Sequence, residues 1–209
     1  MKYLKHTRVK ICGITNVEDA NSAVAAGADA IGLVFYKASP RYISISLAKQ
    51  ITDSISPFIN CVGLFVDADD TYIHEVIEKV AIDTIQFHGQ ETEQTCALFN
   101  KPYIKAVRME NGVCLYDEVG KYPTAKALLL DAYVRGVPGG TGKAFDWNII
   151  PNDLSKPIIL AGGLGITNVK KAISQVHPFA VDVSGGVEKE KGIKDPIKIK
   201  KFISETINA

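Results

Sequence analysis

Apolar and polar positions follow one order again and again along this chain: a short β-branched run, a loop with glycine or polar residues, then apolar residues at helical spacing. Eight runs read as strands: Arg8 to Ile11, Ala30 to Phe35, Asn60 to Val66, Thr84 to Phe87, Tyr103 to Val107, Ala127 to Leu130, Ile158 to Ala161 and Ala180 to Val183. They recur every 20 to 30 residues or so, about one βα unit. Helical patterns follow most of them, at Asn16 to Ala26, Leu47 to Asp53, Asp70 to Val80, Glu91 to Phe99, Asn168 to Val176 and Pro196 to Thr206. Thr15, with Glu18 three residues later, has the form of a capping box opening the first helix. The fifth and sixth connections are less regular, and Pro138 to Trp147 reads as a loop with at most one short helical turn.

Val, Ile and Leu at successive strand positions suit parallel strands covered by helices. Eight such units predict a single α/β domain over residues 1–209, a compact (β/α)8 TIM barrel of eight parallel strands. An open doubly wound sheet is the alternative. It usually has fewer strands, and the first βα turn here lacks GxGxxG.

Charge narrows the choice of ligand. Lys+Arg 24 against Asp+Glu 23 leaves net charge +1, so no global field recruits nucleic acid or a membrane. No apolar run reaches the roughly 18 residues of a membrane span, and the N-terminus has no signal-peptide core. A soluble cytoplasmic protein is expected. Cys12, Cys61, Cys96 and Cys114 lie far apart without metal-ligand spacing, as expected of reduced thiols rather than a metal site.

A barrel carries its active site at the carboxyl ends of its strands. That rule selects Cys12, Asp67, Gln86, His88, Arg108, Asp131, Gly162, Gly163, Asp182, Ser184, Gly185 and Gly186. Two glycine loops, Ala161 to Thr167 and Asp182 to Val187, follow the seventh and eighth strands. Backbone N–H groups there can cradle a phosphate, so Gly162, Gly163, Ser184, Gly185 and Gly186 are read as phosphate-binding. A neutral chain can hold an anion this way because the donors are amides.

Cys12 ends the run Val9-Lys10-Ile11-Cys12, and period-two alternation puts Lys10 on its face, roughly 6 to 7 Å back, where a cation favours the thiolate. Asp131 follows three leucines, Leu128 to Leu130. A carboxylate there is costly to bury ionised, so it should be paired, exposed at the rim, or protonated and able to donate. Nucleophilic acyl chemistry would place a histidine beside the cysteine, and of the four histidines His88 alone ends a strand. A thiol base facing a carboxylic acid suits isomerisation instead.

The segments Val9 to Thr15, Ser39 to Ile43, Gln86 to Gly89, Leu130-Asp131, Gly139 to Trp147, Ala161 to Leu164 and Val181 to Glu188 together resemble the phosphoribosylanthranilate isomerases of tryptophan biosynthesis. The likeness runs in order from Val9 to Asp195. Phe87 stands where that family commonly has Leu, and Gly185 where it commonly has a second Ser. The resemblance implies a cofactor-free Amadori rearrangement of a small phosphoribosyl substrate. Asp131 would be the general acid opening the ribose ring, and Cys12 the general base taking the proton from C2′. It also implies that Arg41 contacts the anthranilate carboxylate, that Asp182, Gln86 and His88 contact substrate, and that Gly140 to Lys143 belong to a closing loop. A different phosphosugar isomerase or a non-catalytic phosphoribosyl-binding barrel are the alternatives, and a monomer or a homodimer is expected.

Overall fold

The computed structural model describes residues 6–110, 112–132 and 145–209. Eight strands run β1 (Arg8–Cys12), β2 (Ala30–Val34), β3 (Asn60–Phe65), β4 (Thr84–Phe87), β5 (Tyr103–Met109), β6 (Ala127–Ala132), β7 (Ile158–Leu160) and β8 (Ala180–Val183). They pair in sequence order, all parallel, and β8 pairs with β1, which closes the barrel. The helices are α1 (Val17–Ala25), α2 (Ile45–Ser54), α3 (Asp70–Lys79), α4 (Glu93–Ala97), α5 (Leu115–Lys121), α6 (Val169–Val176) and α7 (Pro196–Ile207). The predicted strands stand within two residues of the observed ends. No helix among the described residues is long and apolar enough to cross a membrane.

Three features depart from the sequence expectation. The first helix is capped one residue later: Asn16 accepts from the Asp19 backbone N–H and donates to the Asp19 carboxylate. Thr15 instead donates to the Gly192 carbonyl, which ties the first loop to the last. The fifth connection contains the regular helix α5, whose buried face rests on little more than Leu115, too weak a period to read. A two-stranded antiparallel hairpin, β9 (Glu188–Glu190) and β10 (Ile193–Lys194), follows β8 and sets Lys194 opposite Glu188. The turn at Trp147–Ile149 is 3-10, and Gly140 to Lys143 lie outside the described residues.

Alternation along the strands sorts the core. Ile104, Ala106, Ala127, Leu129, Ile159, Ala161 and Ala180 form one buried cluster, while their strand neighbours Val107, Met109, Leu128, Leu130 and Ile158 form another with Leu115 of α5. The first cluster lines the barrel and the second lies under the helices. Of the three leucines before Asp131, therefore, only Leu129 shares its face. The three-leucine run thus puts one leucine, not three, beneath Asp131.

A buried charge cluster fixes the loop after β4. Lys105 Nζ, on the helix side of β5, donates to Gly89 O at 2.7 Å and to Glu91 Oε2 at 3.0 Å. Glu91 Oε1 accepts the backbone N–H groups of Asp67 and Gly89. Lys105 and Glu91 are both buried, so removing one strands the other as an uncompensated charge. Lys105→Met should cost about 3–5 kcal/mol of folding stability, read from the urea midpoint.

Candidate active site

The mouth of the barrel is organised around Lys10, which points inward from β1 and is 4 % exposed. Its ammonium donates to Asp182 Oδ1 on β8 and to Gln86 Oε1 on β4, each at 2.9 Å. Burial alone would lower the Lys10 pKa, but Asp182 and the Cys12 thiol outweigh it, and the value ends above the ordinary one. Gly32 makes the room: a Cβ there would stand 2.8 Å from Cys12 Sγ and 3.1 Å from Lys10 Cε.

Cys12 ends β1, 6 % exposed. Burial pushes its thiol up; Lys10 and Lys194 pull against that while Asp182 adds to it, and the net direction is upward. Lys10 was expected to favour the thiolate. It does pull that way, but desolvation outweighs it. Cys61 and Cys96, buried in the core, are pushed up to about 12.

Asp131 stands on β6, three strands from β1 around the barrel, its side chain 14 % exposed. Its Oδ2 lies 3.1 Å from His88 Nε2, and His88 Nδ1 lies 3.0 Å from Gln86 Nε2. His88 is held by its own backbone N–H, which donates to Phe65 O at 2.8 Å. Gln86, fully buried, has both ends of its amide on protein partners. Arg108, in register with Asp131 on β5, stands beside it, whereas Asp67 is engaged by the Gln90 backbone N–H.

The two glycine loops meet. Gly162 and Gly163 have φ of +74° and +68°, conformations open to glycine, and a Cβ on Gly162 would overlap the Ala132 backbone. A Cβ on Gly186 would overlap the Leu164 carbonyl and stand 3.0 Å from Gly165 Cα, so the loops after β7 and β8 touch backbone to backbone. Ser184 precedes the 3-10 turn Gly185–Val187. Lys194 Nζ, wholly enclosed, reaches Ser184 O at 3.2 Å, Ser184 Oγ at 3.3 Å and Glu188 Oε1 at 2.9 Å.

Arg41 crosses from the loop after β2 to this cluster. Its Nε and Nη2 donate to the two Glu188 carboxylate oxygens at 2.7 and 2.8 Å. Hydrogen bonding to Glu188 raises the Arg41 pKa; burial would raise that of Glu188, but Arg41 and Lys194 hold it below the usual carboxylate range. Burial lowers that of Lys194 against the pull of Glu188. Sequence reading missed Lys194 and gave Glu188 no role, because both lie in a charge-rich stretch that reads as solvated surface.

The model for "N-(5'phosphoribosyl)anthranilate (PRA) isomerase" aligns with residues 9–205. The chain belongs to this family. It is 54% identical over 202 residues to N-(5'-phosphoribosyl)anthranilate isomerase of Pseudomonas fluorescens SBW25, covering 97% of this chain and 96% of the relative. The crystal structure of the phosphoribosyl anthranilate isomerase from Thermotoga maritima matches with a TM-score of 0.90 at 40% identity, over 97% of this chain and all of that one. Another isomerase structure, solved in complex with reduced 1-(o-carboxyphenylamino)-1-deoxyribulose 5-phosphate, matches at 0.86 and 39% identity, with 97% and 100% coverage.

In an isomerase that uses Cys12 as thiolate, kcat/KM should rise with pH and level off only above the ordinary thiol range, because burial raises this pKa. Lys10→Met removes a cation that pulls the other way. The rise should move to still higher pH, and kcat/KM near neutrality should fall by about tenfold or more, in protein shown folded by circular dichroism.

Proposed function

We propose that this chain converts N-(5'-phosphoribosyl)anthranilate into 1-(o-carboxyphenylamino)-1-deoxyribulose 5-phosphate by general acid–base catalysis, with Asp131 as acid and Cys12 as base. The observation that carries the reading is the placement of these two groups: both on inward-facing positions at strand ends, on separate strands, with the paired glycine loops beside β1. Asp131 donates a proton to the ribose ring oxygen; the C1′–O bond breaks as the anilino nitrogen forms C1′=N. The Cys12 thiolate then takes the C2′ proton, and those electrons form C1′=C2′ as nitrogen recovers its lone pair. The resulting enolamine tautomerises to the ketone by losing its enol proton and gaining one at C1′.

The remaining side chains divide the binding. Backbone N–H groups of the loops at Gly162–Gly163 and Ser184–Gly186 hold the phosphate, and Lys194 braces the second loop through Ser184. Glu188 holds Arg41 through Nε and Nη2 and leaves its remaining N–H groups to bind an anthranilate carboxylate. Asp182 serves by holding Lys10. Dimeric and monomeric forms are recorded for the Thermotoga maritima relative. For this chain we propose a cytoplasmic enzyme active as a monomer or homodimer.

The test is loss of substrate fluorescence on mixing purified protein with N-(5'-phosphoribosyl)anthranilate. Wild type should turn over, and Cys12→Ala and Asp131→Ala should each lose about 10²–10⁴-fold in kcat, the ordinary worth of a positioned acid or base. KM should change far less. No turnover by folded wild type would end the isomerase reading, and full activity in Cys12→Ala would end the assignment of the base.

A further inference from the structure

The hydrogen bonds between Lys10 and Asp131 have a direction that their chemistry dictates. An ammonium only donates, so the Gln86 oxygen must be the end facing Lys10 Nζ at 2.9 Å. The Gln86 NH₂ therefore faces His88 Nδ1 at 3.0 Å, and an amide NH₂ also only donates. Nδ1 must then be the bare, accepting nitrogen, and the proton of neutral His88 sits on Nε2, 3.1 Å from Asp131 Oδ2.

We propose that Lys10 and Gln86 lock His88 as the neutral Nε2–H tautomer, and that His88 so held is the positioning residue for Asp131, committing Oδ2 as acceptor and leaving Oδ1 to deliver the proton. The role rests on the reading of Asp131 as the acid. His88 cannot take the Asp131 proton, because its accepting nitrogen faces away toward Gln86. Its N–H bond to Oδ2 strengthens as Asp131 gives up its proton, since a hydrogen bond to a carboxylate is roughly twice as strong as one to a neutral acid. Stabilisation that grows along the reaction lowers the barrier rather than KM. Gln86 and His88 then act behind the acid, not as substrate contacts.

Nitrogen-15 NMR of the imidazole rings in the intact protein reads the tautomer directly, and His88→Gln assigns the signal among the four histidines. The expected spectrum shows His88 bare at Nδ1 and protonated at Nε2. Gln86→Glu keeps the shape but sets a carboxylate against Nδ1, so the ring should take a proton there and kcat should fall by about tenfold or more, with KM within about threefold. His88→Gln, whose amide nitrogen can stand near the Nε2 position, should retain several times the kcat of His88→Leu. A wild-type His88 protonated at Nδ1 overturns the proposal. So does unchanged kcat in Gln86→Glu with the tautomer reversed, or a His88→Leu variant that raises KM alone. If Gln86→Glu does not fold, the wild-type spectrum and the two His88 variants decide. The tautomer is read without activity, so failure of the lock is distinguishable from failure of the acid assignment, which Asp131→Asn tests separately.

Discussion

Lys10 places an ammonium inside a barrel mouth whose neighbouring side chains are closed to water. A buried charge of this kind is strongly unfavourable unless it is paired and its remaining donors are satisfied. Asp182 supplies the countercharge and Gln86 a neutral acceptor, so three strands, β1, β4 and β8, are bound to one another by one residue's needs. The consequences spread in both directions. Toward β1 the cation sits beside Cys12 and opposes the desolvation of the thiol, with Gly32 leaving the space both require. Toward β6 the orientation of Gln86 sets that of His88, and His88 meets Asp131. Cys12 and Asp131 thus stand on opposite arms of a single polar chain through Lys10, Gln86 and His88.

Two further buried lysines repeat the device at the edges of the site. Lys105 with Glu91 holds the loop that carries His88, and Lys194 with Glu188 holds both Arg41 and the turn at Ser184. Each cluster converts the cost of a buried charge into a fixed loop. A barrel enzyme needs this, because its chemistry sits on loops while its stability comes from strands and helices. The contact between Gly186 and Leu164 adds a steric constraint of the same kind, since the backbones of the two glycine loops approach more closely than any side chain would allow.

The strands and most helices were legible because burial on both faces leaves continuous apolar runs, broken at loops by glycine and polar residues. The strand-end positions of Cys12 and Asp131 were legible for the complementary reason: each is a polar or thiol group where an apolar run ends. The three leucines before Asp131 overstate its apolar surroundings, because successive residues in a strand point to alternate sides and Leu128 and Leu130 serve the helix layer. Lys105, Glu188 and Lys194 were illegible in their roles, since a lysine that will be buried has the same letter as one that will be solvated. Only its partners distinguish it, and those lie far away in sequence or, like Glu188, across a hairpin too short to read. The capping box at Thr15 failed on a finer point. Asn16 competes for the same backbone donors, and Thr15 finds a partner at Gly192 that no local pattern shows.

The central claim is that one proton reaches substrate from an inward-facing carboxyl group and another leaves it for an inward-facing thiolate. A single turnover with substrate deuterated at C2′ tests it most directly. Removal of the C2′ hydrogen by Cys12 predicts slower conversion of the deuterated substrate and loss of deuterium to solvent before C1′ is protonated. Quantitative carriage of the deuterium to C1′, with none lost to solvent, would mean a direct shift between carbons and would contradict the account.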